Sequence, residues 1–212
     1  MSLEKQFNQA VPEDQIRLFL VRHGQTNANA QHLLQGQSDG ALTEFGLQQI
    51  ALLAEHLSQV HVDKIVSSPY QRAHNTAKAV AVPHSLAVQV EPLLKEWNCG
   101  DWDGQPAAEF RAMIKEKELK TSQLAPPNGE TFEEVKTRGR QALQKHVLGQ
   151  YGKVIMFVAH GDINRSMISE LLNISIDSAG LVLFDSASYS VLEKRDNDWF
   201  LVTSNRIVID EN

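Results

Sequence analysis

Two apolar runs govern what this chain can fold into. Ile16–Val21 is apolar apart from Arg17, and Lys153–Ala159 is apolar after its first residue. Runs of this length with no polar alternation read as strands covered on both faces. Such strands need helices on either side of a mostly parallel sheet, and the rest of the sequence offers them. Residues 43–58 predict a helix, with Thr43 as cap and Ile50, Leu53, Ala54 and Leu57 along one face. Asp63–Ser67 predicts a short strand. Ser68-Pro69 then reads as an N-cap followed by proline at the first helical position, opening a helix to about Val82. Val88–Val90 predicts a third short strand, 109–120 a charged helix and 125–129 a Pro-rich break. Residues 131–150 predict a long helix whose apolar positions are Phe132, Val135, Leu143 and Val147, and 163–172 another. Two late strands, 188–194 and 199–204, pair as a hairpin at the sheet edge. The expected fold is therefore α/β, a three-layer α/β/α arrangement with a mostly parallel central sheet. Residues 1–15 are polar and read as a short tail before a single domain, 16–212. Within that domain, 97–128 has the least sheet character and reads as an insertion roofing the functional edge.

A chain of 212 residues buries a sizeable core without metals or disulfides. Its one cysteine, Cys99, excludes an internal disulfide and a Cys-based zinc site. A net charge of -6 argues against nucleic acid as the partner, which calls for clustered Lys and Arg. No apolar run is long enough to span a bilayer, and residues 1–15 lack the apolar stretch of a leader. The expectation is a cytoplasmic protein with neither nucleic acid nor membrane as partner. The sequence sets no oligomeric state.

Both apolar runs end in the same pair of residues. Ile16–Val21 leads into Arg22-His23-Gly24, and Lys153–Ala159 into His160-Gly161. In open α/β sheets the ligand crevice lies beyond the C-terminal ends of the strands, so two strands deliver a histidine each to that edge. The following glycines let the backbone turn and let a ligand approach. Arg72, in the first turn after a third strand, reaches the same edge. A neutral imidazole is a good nucleophile toward phosphorus. Arginine matches phosphate oxygens with paired, charge-assisted hydrogen bonds. Phosphoryl transfer asks mainly for positioning and for charge on the equatorial oxygens, which Arg22, Arg72 and His160 supply without a metal.

The segment Leu20-Val21-Arg22-His23-Gly24-Gln25-Thr26 resembles the signature of the histidine phosphatase superfamily, in the branch that includes cofactor-dependent phosphoglycerate mutase. The likeness continues through Asn29, Gln35-Gly36 and Leu42-Thr43-Glu44, then through Ser67-Ser68-Pro69 with Arg72. It extends to Leu94-x-Glu96 with Gly100-x-Trp102-x-Gly104, to Asn128-Gly129-Glu130 with Arg138, and to Val158-Ala159-His160-Gly161. The resemblance implies that His23 is the nucleophile and becomes phosphohistidine. It implies that Arg22, Arg72 and His160 hold the phosphoryl group with Asn29 assisting, and that Glu96 protonates the leaving oxygen and then activates water. Thr26, Gln35, Gly36 and Gly161 complete the expected substrate contacts. No cofactor or metal is expected, and the expected partner is a small phosphorylated substrate. Leu33 stands where the family often has arginine, Asp162 where it usually has a second glycine, and Asn164 where an apolar residue is typical.

Plainer readings compete residue by residue. His23 and His160 could be satisfied core histidines, or metal ligands with Asp162, although a histidine hemmed by arginines is a poor cation site. On spacing alone Arg72 is a solvated helix residue, and Glu96 beside Lys95 is an exposed ion pair, though Trp97 and Trp102 offer an apolar wall. Thr26 and Ser67 read as structural or secondary phosphate contacts. Asp162 is either a helix cap or a substrate contact. His32, His56, His61, His74, His84 and His146 read as surface residues, Cys99 as a small packed thiol, and 115–120 as a solvated helix face. Three functions compete: a phosphomonoesterase for a small metabolite, a mutase returning the phosphoryl group to another hydroxyl, and a silent binding module on the same fold. The Gly-x-Trp-x-Gly form after Glu96 resembles the phosphatase branch.

Overall fold

Successive residues of the two central strands separate onto two faces of one sheet, as the period of a strand requires. The computed structural model describes residues 7–208. In β1 (Ile16–Arg22), Ile16, Leu18 and Leu20 join one core, while Phe19 and Val21 join the other. In β4 (Lys153–Ala159), Ile155, Phe157 and Ala159 face the first core, and Val154, Met156 and Val158 the second. The remaining strands are β2 (Lys64–Ser67), β3 (Val88–Val90), β5 (Tyr189–Arg195) and β6 (Asp198–Arg206). The sheet order is β3-β2-β4-β1-β5-β6. The first four strands run parallel, β5 runs antiparallel to β1, and β6 returns antiparallel to β5.

Helices cover both faces. On one lie α2 (Glu44–Leu57) and α3 (Gln71–Ala81), which bury Leu53, Leu57, Ala77 and Val80. On the other lie α5 (Phe132–His146) and α6 (Gly161–Leu171), which bury Phe132, Val135, Leu143, Ile163 and Met167. Thr43 caps α2 by accepting the Gly46 amide, and Thr131 forms a reciprocal capping box with Glu134 at the start of α5. Shorter helices are α1 (Asn27–Ala30), α4 (Ala107–Glu116) and α7 (Ile176–Ala179). The three-layer α/β/α arrangement expected from the apolar runs is the one observed. No helix among the described residues is long and apolar enough to cross a membrane.

Four local expectations need correction. Ser68-Pro69 does not start a helix: α3 begins at Gln71, whose amide donates to Asp39 Oδ2 at 2.9 Å from a distant loop. The Ser68 hydroxyl is occupied elsewhere, by His160. The expected helix at 131–150 stops at His146, where the ring turns inward to Glu91 Oε2 at 2.7 Å. That contact also buries His146, which the sequence placed at the surface. Finally, the tail is not wholly a tail. Residues 1–6 lie outside the described residues, but Phe7 and Val11 are buried, and Phe7 sets its ring edge-on to Phe19 with centroids 5.7 Å apart. A single i,i+4 pair, Phe7 and Val11, in an otherwise polar stretch is too short a pattern to predict this packing.

The glycine after His23 has a structural purpose different from the one expected. A Cβ on Gly24 would stand 2.7 Å from Ile50 Cγ2 and 2.8 Å from the Gly46 carbonyl oxygen. A Cβ on Gly46 would stand 2.1 Å from the Gln25 carbonyl oxygen. The two glycines let α2 press against the turn that follows β1. Gly46→Ala is expected to destabilise the fold by about 1–3 kcal/mol through overpacking, read as a lowered midpoint in urea at unchanged slope.

Candidate active site

The register between β1 and β4 sets Arg22 opposite Ala159, so the next residue of each strand is a histidine. The His23 amide donates to the Ala159 carbonyl at 3.1 Å, and the two imidazole centroids stand 5.1 Å apart. Both rings are buried, His23 at 3% exposure and His160 at 0%. Their proton positions follow from their partners. His23 Nδ1 lies 2.7 Å from the Gly24 carbonyl oxygen, which only accepts, so Nδ1 carries the proton and Nε2 the lone pair. His160 has the opposite tautomer. Its Nδ1 accepts from Arg72 Nε at 3.2 Å, and its Nε2 donates to Ser68 Oγ at 2.7 Å.

Both imidazoles are held neutral. Burial pushes the His23 pKa well below its ordinary value, and the charges of Arg22 and Arg72 push it the same way. Burial and Arg72 do the same to His160. Arg72 reaches the site from the first turn of α3 and is almost wholly buried. Besides His160 it donates to the Ser38 carbonyl through Nη1 and to the Gly36 carbonyl through Nη2, both at 2.7 Å. Arg22 donates to the Phe184 carbonyl through Nη1 at 2.6 Å, while its buried Nε has no partner.

Glu96 faces these cations from the segment after a single 3-10 turn, Pro92–Leu94. Its carboxyl group sits at the N-terminus of α6. Oε1 accepts the amides of Trp97 at 2.9 Å and of Asp162 and Ile163 at 3.2 Å each. Helix amides favour the charged carboxylate, yet burial dominates, and with the nearby Asp162 charge it raises the Glu96 pKa above the ordinary value.

A cavity of about 310 Å³ opens between these groups and the roof. Of the residues read from the sequence, Arg22, His23, Asn29, Gln35, Gly36, Glu96 and Gly161 line it. Arg72 and His160 stand behind His23, off the cavity wall. Thr26 is off the wall too, because its hydroxyl donates to Gln35 Oε1 at 2.7 Å and accepts the Asn29 amide, capping α1. The Gly36 amide is taken by Asp103 Oδ1 at 3.1 Å. Reading the sequence missed Arg165 and Arg111, which also line the cavity. Arg165 donates to Asp162 Oδ1 at 2.7 Å, and this Asp–Arg pair at i,i+3 just after the second His-Gly was the available signal. From the roof, Trp97, Cys99, Phe110 and Arg111 reach the cavity. Burial pushes the Cys99 thiol up to about 12. Among the described residues no three His, Cys, Asp or Glu side chains gather as a metal cage.

Comparison with known proteins gives a consistent picture. The family model described as the histidine phosphatase superfamily (branch 1) matches residues 18–207. The bifunctional protein Rv2228c of Mycobacterium tuberculosis is 33% identical over 185 residues, 84% of this chain. The matched region is 50% of that relative, so the chain spans about half the length of the first curated relatives it matches. A probable phosphoglycerate mutase, GpmB, of Yersinia pestis is 29% identical over 87% of both chains. Among solved structures, the mycobacterial glucosyl-3-phosphoglycerate phosphatase Rv2419c superposes with a TM-score of 0.80 at 29% identity, covering 90% of this chain and 99% of that one.

The raised Glu96 pKa has a stability consequence. The fold holds a proton on Glu96 that the unfolded chain has released, so the group counts against the fold as pH rises above the ordinary value of 4.5. Glu96→Gln keeps the oxygen that accepts the three amides. It is expected to raise the melting temperature at neutral pH by a few degrees, about 1 kcal/mol corresponding to roughly 2–4 °C for a chain of this size. The advantage should vanish when melts are repeated below pH 4.5.

Proposed function

The chain belongs to the histidine phosphatase superfamily, and from that premise we propose that it is a metal-independent phosphomonoesterase working through phosphohistidine at His23. The observation that carries the reading is the state of His23: a neutral imidazole, its Nδ1 proton fixed on the Gly24 carbonyl, held among arginines at the wall of the cavity. A buried Arg22 Nε with no partner beside it asks for an anionic oxygen, which a phosphoryl group supplies.

The reaction runs in two displacements. His23 Nε2 attacks phosphorus and the bond to the leaving oxygen breaks, while Glu96 delivers its proton to that oxygen. Arg22, with Asn29 assisting, holds the phosphoryl oxygens at the wall. Arg72 adds positive charge and hydrogen bonding from behind, having two N–H groups beyond the three it commits to His160, Ser38 and Gly36, and the neutral His160 ring helps hold that guanidinium in place. In the second step the Glu96 carboxylate takes a proton from water, the water oxygen attacks phosphorus, and the P–N bond breaks to release phosphate and neutral His23. Glu96 is then protonated again.

A phosphatase is favoured over a mutase by the Gly-x-Trp-x-Gly form after Glu96 and by likeness to the solved mycobacterial glucosyl-3-phosphoglycerate phosphatase. The GpmB likeness keeps the mutase as the second reading. A silent binding module is disfavoured because His23, Arg22, Arg72, Glu96 and His160 are all present. The substrate is a small phosphorylated metabolite, matched in size to the cavity of about 310 Å³. Cytoplasmic location, and the absence of nucleic acid and membrane as partners, belong to the same proposal.

Hydrolysis of p-nitrophenyl phosphate in excess EDTA checks the chemistry. The native protein is expected to retain full activity, and His23→Ala to lose it by about a thousandfold or more. Brief reaction with labelled substrate followed by alkaline denaturation should trap label on the native chain only. Loss of activity in EDTA would overturn the metal-free mechanism. For benzyl phosphate, whose leaving oxygen needs a proton, the pH profile of kcat/KM should be a bell, highest between mildly acidic and neutral. Its acid limb follows His23, lowered from 6.5, and its alkaline limb follows Glu96, raised from 4.5. A rate still climbing at strongly alkaline pH would contradict these assignments.

A further inference from the structure

Arg138 lies in the second turn of α5, and all five of its N–H groups are committed within the protein. Nε donates to Glu130 Oε1 at 2.7 Å and Nη2 to Glu130 Oε2 at 2.8 Å, a two-pronged ion pair. Nη1 donates to the carbonyls of Leu93 at 2.8 Å and Lys95 at 2.9 Å, and Nη2 also to that of Glu96 at 3.2 Å. With no donor left over, Arg138 cannot serve the substrate, and it is absent from the cavity wall. Its cation instead draws together three carbonyls of the short segment that carries Glu96.

Glu130 completes the brace from the other side. Its Oε2 accepts the Asn98 amide at 2.9 Å, and its backbone carbonyl accepts Trp97 Nε1 at 2.6 Å. Its own amide donates to the Asn98 carbonyl at 2.8 Å. The segment on both sides of Glu96 is therefore tied to the start of α5, while the Glu96 carboxyl group is tied to the start of α6. Residues 95–98 belong to no strand or α-helix, so nothing in their own backbone pattern fixes where the carboxyl group points.

We infer that Arg138 and Glu130 are positioning residues that hold the Glu96 carboxyl group where it can transfer a proton to the leaving oxygen. The inference rests on the reading of Glu96 as proton donor. A merely structural pair would affect every substrate alike. A pair that aims a general acid matters most when the leaving oxygen needs a proton: benzyl alkoxide needs one, p-nitrophenolate hardly does.

The test compares kcat/KM for benzyl phosphate and p-nitrophenyl phosphate in one preparation of each variant, so the fraction of folded protein cancels from the ratio. Glu96→Gln is expected to lower the benzyl to nitrophenyl ratio by about a hundredfold. Arg138→Gln and Glu130→Gln should each lower it by about tenfold, in kcat and not in KM. Arg138→Lys, with three donors and no planar fork, should fail to restore it. If Glu96→Gln lowers the ratio and both brace variants leave it at the native value, the inference is overturned and the role of Glu96 stands. If Glu96→Gln itself leaves the ratio unchanged, the acid assignment falls and the inference falls with it.

Discussion

The pairing register of the two central strands is the constraint on which the site depends. Because Arg22 lies opposite Ala159, His23 and His160 leave the sheet side by side. A slip of one residue would reverse the faces of a whole strand. That slip is blocked by the two cores, since both faces of β1 and β4 are filled with apolar side chains. Arg17 adds a polar pin: opposite Glu193 in the β1–β5 register, it donates to that carboxylate at 2.7 Å in a buried position. Packing thus fixes the position of the histidines to within a residue before any polar contact in the site forms.

Electrostatics then sets what those histidines can do. Placing two imidazoles and two guanidiniums together in a buried site leaves one stable distribution of charge: arginines charged, histidines neutral. The cost appears on the acid side. The unfolded chain takes up protons below 6.5 that the folded His23 and His160 refuse, so their contribution to stability is whole above 6.5 and falls as the pH drops from there toward their lowered folded values. Glu96 carries the opposite sign. A site that favours a neutral His23 and a protonated Glu96 together opposes the fold from both directions. Stability comes from elsewhere, including Glu91, whose contacts with Lys145 and His146 outweigh its burial and pull its pKa down to about 2.

Much of this was legible in the sequence because it is written in local pattern. Unbroken apolar runs announce the two central strands, and Thr43 announces its helix by capping chemistry. The histidines were legible because each follows such a run directly. What escaped was decided by partners far away in sequence. Ser68-Pro69 looks like a helix start, but His160 claims the serine and Asp39 supplies the cap to Gln71. His146 shows no motif because its partner, Glu91, comes from another element. Thr26 lies in the segment whose resemblance points to the substrate, whereas its hydroxyl is consumed in capping α1 and in donating to Gln35. Gly24 was read as room for a ligand, and the space belongs to α2.

The departure at Asp162 acquires a physical sense from the same reasoning. Its amide is one of three that hold Glu96, and its carboxylate holds Arg165 at the cavity wall. A glycine there would keep the amide and lose the carboxylate. Arg165 would retain its bond to the Val182 carbonyl, at 2.8 Å, and its contact over the Phe184 ring, but Glu96 would lose the negative neighbour that, after burial, does most to raise its pKa. One residue therefore links the Glu96 carboxyl group to the Arg165 cation, both at the start of α6.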